Sequence, residues 1–137
     1  FYTIAQNKNA VMYCWHGVEG YSKFGSYYTD GNVDGPFIYT GFKPKWMMIK
    51  SSAAISWYIM DNERSKSNPI THALNADSTA VEHTIQINMD WLSNGFKVRA
   101  SGSYVASQNS ASHDPYYYMA FAEHPFHGNG VNPVTAG

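Results

Sequence analysis

Asp30-Gly31-Asn32-Val33-Asp34-Gly35 reproduces the first six positions of an EF-hand loop, with oxygen donors alternating ahead of a turn glycine. The bidentate glutamate that such a loop needs at its twelfth position falls on Gly41, and the flanks read as strands rather than helices. The stretch is therefore expected to be a turn, with a cation site of some other geometry as the alternative. Six histidines (His16, His72, His83, His113, His124 and His127) show no i, i+4 helical pair, and no cysteine set accompanies them. His124 and His127 lie three apart, but Pro125 between them breaks any helix. One histidine per chain could still form a metal or hydrogen-bond site on the axis of a homotrimer. Apart from these two options no metal and no cofactor is expected.

Cys14 is the sole cysteine, so it has no disulfide partner within the sequence and suits a reducing compartment. Between Tyr13 and Trp15 it reads as a small core hydrophobe, because a catalytic thiol needs a base and an electropositive setting. There is no G-x-S-x-G nucleophile elbow. Asp61, Glu63, Asp90, Asp114 and Glu123 can be drawn only loosely into the carboxylate pairs that glycoside hydrolysis requires. The expectation is a protein without catalytic residues.

Binding is the better expectation. Tyrosine and tryptophan offer flat apolar faces with a polar edge, and Asn, Ser and Gly in loops supply adaptable hydrogen bonds. The candidate ligand-facing residues are Tyr27, Tyr28, Asp30, Asn32 and Asp34 around the first turn. Arg64, Asn68 and His72 follow in the Arg64–Asn75 segment, and Tyr104, Asn109 and His113 in the Tyr104–His113 segment. Trp15, Trp46, Trp57 and Trp91 sit within strand-like runs and are expected in the core.

The elements that must position these residues are strands. Ala10–His16 is a first apolar run closed by Gly17 and Gly20, and Phe37–Gly41 a second. Lys45–Ser51 and Ile55–Asp61 flank Ser52-Ala53-Ala54 as a tight hairpin. Asp61–Thr79 is polar and irregular and reads as a long surface loop. Val81–Met89 alternates apolar and polar residues as a half-buried strand does. Asn94-Gly95 turns into Phe96–Ala100, and Ser101–Asp114 is a Ser/Asn-rich loop. The closing strand begins after Pro115, where Tyr116, Tyr117, Tyr118, Met119 and Phe121 alternate with small alanines, and Pro125 stops it. No 3.6-residue period stands out. The expected fold is all-β, an antiparallel jelly-roll-like sandwich with long loops and little or no helix.

The 137 residues fit one domain with a real core, preceded by a lead-in at residues 1–10 and ending in an extended tail at 123–137. Aromatics at 16% against charged residues at 14% suit a β-rich chain. A formal net charge of −1 gives no electrostatic footprint for nucleic acid or an anionic membrane. The apolar runs Trp46–Ile49 and Trp57–Met60 are too short to span a bilayer.

Several ordered blocks also carry a family resemblance. Tyr116-Tyr117-Tyr118-Met119-Ala120-Phe121-Ala122-Glu123-His124-Pro125-Phe126 resembles the Y-x-Y-x-A-F-A-E-x-P-F ending of the C-terminal domain of tailed-phage tail-fibre and related virion proteins. Met12–Tyr27 resembles that family's opening block, and Asp34–Lys50 is similar to its G-P-F…Y-x-G-F-x-P-x-W-x-x-I-K core. Leu92-Ser93-Asn94-Gly95-Phe96-Lys97-Val98-Arg99 resembles the L-S-N-G-F-K-[LV]-R block, and Gly128–Gly137 the G-x-G-V-x-P-[AV]-T-A ending. The resemblance implies a virion protein assembled in the host cytoplasm, the C-terminal portion of a longer polypeptide. It implies a homotrimer in contact with other tail or capsid proteins. Two functions follow from it: a receptor-binding module at a fibre tip that takes a host-surface glycan or protein, or a structural element that caps, trimerises or decorates without a ligand.

Overall fold

The computed structural model describes residues 12–28, 34–52, 56–100 and 115–125, with only the backbone of His83, Ile85, Gln86, Ile87 and Ala100. These residues form eight strands and no helix: β1 Ser22–Tyr28, β2 Asp34–Tyr39, β3 Pro44–Ser51, β4 Tyr58–Asp61, β5 Ile70–Asn75, β6 His83–Leu92, β7 Gly95–Ala100 and β8 Pro115–Ala122. They make one antiparallel sheet in the order β1-β8-β3-β4-β5-β6-β7-β2. β3 to β7 run as a meander. β8 returns to lie between β1 and β3, while β2 pairs outside β7.

The sheet rolls until its ends meet across the core. Tyr27 of β1 meets Phe96 of β7 edge-on at 5.7 Å between ring centroids, and Phe96 meets Tyr118 of β8 at 5.3 Å. The two layers of the expected sandwich are thus halves of one nearly barrel-like sheet. Its jelly-roll character lies in the nesting of β1 with β8 and of β2 with β7.

Period-two alternation explains the core. In β8, Tyr116, Tyr118, Ala120 and Ala122 point inward while Tyr117 is exposed and Met119 and Phe121 are half-buried. Met47 and Ile49 of β3, Met60 of β4, Met89 and Trp91 of β6, and Phe96 and Val98 of β7 complete the interior. Each such side chain contributes about 1.5–3 kcal/mol by leaving water. Ala120 lies opposite Met47, a small residue beside a long one, which lets the layers interdigitate.

The observed elements depart from the sequence expectation at both polar and aromatic segments. Asp61–Thr79 is not simply a loop, because β5 runs through it with Ile70 and Ala73 buried. Ser65 Oγ accepts the amides of Thr71 and His72, both at 3.1 Å, so a polar segment enters the sheet with its start satisfied. Residues 12–16 of the expected first strand form no strand. Cys14 and Trp15 are exposed instead of buried. The rings there find each other outside the sheet, Tyr13 stacking on Trp15 at 5.7 Å and Trp15 on Phe24 at 6.4 Å. Trp57 is also exposed, Trp46 is half-buried, and Trp91 alone of the four is deep in the core. The Ser101–Asp114 segment and most of the tail lie outside the described residues.

Candidate functional site

Among the described residues, most of those expected to face a ligand have other partners. Tyr27 is 6% exposed, stacked on Tyr116 at 5.5 Å, and so belongs to the core. Strand alternation turns its neighbour Tyr28 outward. Asp34 accepts from Lys97 Nζ at 3.0 Å and pairs with Arg99, whose Nε reaches Asp90 at 2.7 Å. The bond from Lys97 holds the Asp34 carboxyl below the ordinary range, and Asp90 raises the Arg99 guanidinium further. Arg64 bridges Asp61 and Glu82. The amide of Asn68 stands in for a strand partner: it accepts Trp91 N at 2.9 Å and donates to Trp91 O at 3.0 Å. His72 Nδ1 lies 3.3 Å from Ser65 Oγ and 3.2 Å from Thr71 Oγ1. Arg64, Asn68 and His72 therefore serve the connection into β5. Asp30, Asn32, Tyr104, Asn109 and His113 lie outside the described residues.

Of the carboxylates considered for hydrolysis, Asp114 lies outside the described residues and the other four are engaged with cations. Asp61 pairs with Arg64, Glu63 with Lys45, Asp90 with Arg99 and Glu123 with Lys43. Asp61 Oδ1 additionally accepts the amides of Glu63 and Arg64, which is turn chemistry. Among the described residues no group of three His, Cys, Asp or Glu side chains is placed to hold a metal ion.

Concave surface with polar side chains occurs where three connections and the end of β8 meet. Before β1, the turn at Val18–Ser22 closes with Ser22 N donating to Val18 O at 2.8 Å, and Gly20 takes a φ of 69°. Between β2 and β3, Thr40 Oγ1 donates to Phe42 O at 2.6 Å and Gly41 takes a φ of 88°. The amides of Thr40 and Gly41 donate to Asn94 O at 3.0 and 3.1 Å, which ties this connection to the β6–β7 turn. Ala122 N bonds Tyr21 O, and Glu123 N bonds Lys43 O. The frame is rigid because backbone holds it.

Two pockets of about 260 and 390 Å³ adjoin here, sharing Gly20 and Gly41. Lys43, Ser93, Glu123 and His124 line the first, and Glu19, Lys23, Tyr39 and Thr40 the second. Tyr39 is 64% exposed, its ring alongside Gly41. Glu123 is fixed by Lys43 Nζ at 2.8 Å and Asn62 Nδ2 at 2.9 Å. The Lys43 ammonium chiefly holds its carboxyl below the usual range. Sequence reasoning weighed Glu123 only as a hydrolytic carboxylate and His124 only as a metal ligand, and did not single out the other positions. For the others the only signal was glycine punctuation at Gly17, Gly20 and Gly41.

A second surface is apolar. Phe24, Met119, Met48 and Ile59 stand in register across β1, β8, β3 and β4, all half-buried on the outer face. Beside them Lys50, Trp57 and Tyr117 line a groove of about 360 Å³. Phe121 joins the row, 6.0 Å from Phe24 and 5.6 Å from Trp46.

Residues 2–125 match the family described as Domain of unknown function (DUF7483), and the chain belongs to that family. No curated protein and no solved structure matches it.

Proposed function

We propose that this DUF7483 domain is a non-enzymatic virion module of a tailed phage, sited at a fibre tip and attaching to a glycan or protein on the host surface. The groove around Gly20 and Gly41 carries this reading: an exposed aromatic ring beside fixed donors and acceptors, on loops at one end of the sheet. Small-ligand sites combine concavity with a few placed polar groups in this way. The engagement of Asp61, Glu63, Asp90 and Glu123 with cations supports recognition rather than hydrolysis. The virion location and a trimeric state rest on the resemblance of the ending and the L-S-N-G-F-K-V-R block. The test is binding of the fluorescently labelled 137-residue chain to cells of the phage's host. Saturable binding is expected, and its absence from a folded chain overturns the attachment reading.

The outer-face row of Phe24, Met119, Met48 and Ile59 favours a second reading, a structural element that packs against further copies of itself in the fibre. Replacing Met48 and Met119 by lysine then converts an oligomer to a monomer in analytical ultracentrifugation. A chain that is monomeric before and after the change removes this reading.

A further inference from the structure

We infer that the two pockets sharing Gly20 and Gly41 are adjacent subsites for neighbouring sugars of an uncharged glycan, an inference that rests on the attachment reading and names its ligand class. A sugar ring has an apolar face of C–H groups and a rim of hydroxyls, so it needs an accessible aromatic face beside hydrogen-bonding groups. Tyr39 supplies the first: its ring is 64% exposed, and Gly41, without a side chain, lets it lie along the backbone. In the neighbouring pocket Glu123 supplies the second. Lys43 and Asn62 have already oriented its carboxylate, so no side chain must be ordered when a hydroxyl arrives. Ser93 adds a hydroxyl on the same wall.

Charge decides the class. Each pocket contains one carboxylate and one lysine, Glu123 with Lys43 in the first, where His124 also lies, and Glu19 with Lys23 in the second. An acidic sugar would set its carboxylate beside Glu19 or Glu123, and in the first pocket Lys43 is already engaged by Glu123. A phosphate-bearing ligand meets the same barrier. Neutral hexoses meet none, and the Lys43–Glu123 pair and the charged ends of Glu19 and Lys23 remain available as donors and acceptors for their hydroxyls.

The experiment is a glycan array that carries neutral bacterial oligosaccharides and their uronic-acid-containing counterparts, probed with the 137-residue chain and with Tyr39→Ala, Tyr39→Phe and Ser93→Ala. The exposed positions of Tyr39 and Ser93 keep the variants folded, which circular dichroism checks. Binding to neutral members only is expected. Tyr39→Ala weakens it about tenfold, the equivalent of about 1.4 kcal/mol, while Tyr39→Phe keeps it, since a ring is what the sugar face needs. Preference for the acidic members, or neutral binding untouched by Tyr39→Ala, overturns the subsite assignment. Host-cell binding by a chain that recognises no sugar on the array overturns the glycan inference and leaves attachment standing. Absence of both overturns the two together.

Discussion

Tyr27 carries its phenol hydroxyl into the core, where it has no hydrogen-bond partner among the described residues. Burial pushes its ionisation far above the ordinary phenol range, with Tyr116 adding to the effect. Replacing it by phenylalanine removes an unpaired polar atom and keeps the ring, so Tyr27→Phe should leave stability within about 1 kcal/mol or raise it. Tyr27→Ala should cost about 3–5 kcal/mol by the cavity it leaves. Urea unfolding measures both, and a large loss in the phenylalanine variant would reveal a partner for the hydroxyl. The Tyr27-Tyr28 pair shows what a sequence conceals at this scale: both residues read as surface tyrosines until β1 assigns one to each face. Glu123 gives the pH prediction. Its folded-state carboxyl titrates below the unfolded value, so its contribution is present above about 4.5 and is lost as the pH falls through the depressed value. The stability gap between the native chain and Glu123→Gln should close over that acid window, and a gap unchanged down to low pH would refute the Lys43 pairing. Cys14 is exposed, so a maleimide should label it in native protein at the rate seen in urea.

At the level of elements, legibility followed the clarity of alternation. β8 was readable from its aromatic residues and spaced alanines, and the β3–β4 pairing from Trp46, Ile49, Tyr58 and Ile59, although β4 begins at Tyr58 and not at the expected Ile55. β5 was hidden because Thr71, His72 and Asn75 make it polar and its start depends on Ser65, a partner that no periodicity reveals. β1 was missed because Ser22-Lys23-Phe24-Gly25-Ser26 has no apolar run; its place is set by pairing with β8. The end groove was invisible for the same reason, since it is assembled from three connections far apart in sequence. Gly95 carries the element-scale prediction. It pairs with Tyr39, the Phe37 ring lies over it, and an added Cβ would meet the Ile38 carbonyl and sit 2.9 Å from that ring. Gly95→Ala should therefore destabilise by about 1–3 kcal/mol and loosen β2 selectively. Hydrogen exchange along Asp34–Tyr39 checks this, and unchanged protection there would contradict the packing.

For the whole molecule, the two sides of the β1-β8-β3-β4 half differ from an ordinary solvated sheet. Its inner face is core, and its outer face bears Phe24, Met48, Met119 and Phe121. Beside these apolar side chains, a net charge of −1 supplies little repulsion between copies, so association should depend weakly on salt. Sedimentation across a salt series measures that, and strong salt dependence would point to the charged rim instead. The strand order has a further consequence, for synthesis. β8 is the last of the described strands to be made, yet it lies between β1 and β3 and is the sheet partner through which they are joined. A nascent chain halted before Pro115 can pair β3 through β7 but leaves β1 without its neighbour and the core without Tyr116 and Tyr118. The domain must therefore close only once Pro115–Ala122 has been made, as one late event that joins segments far apart in sequence.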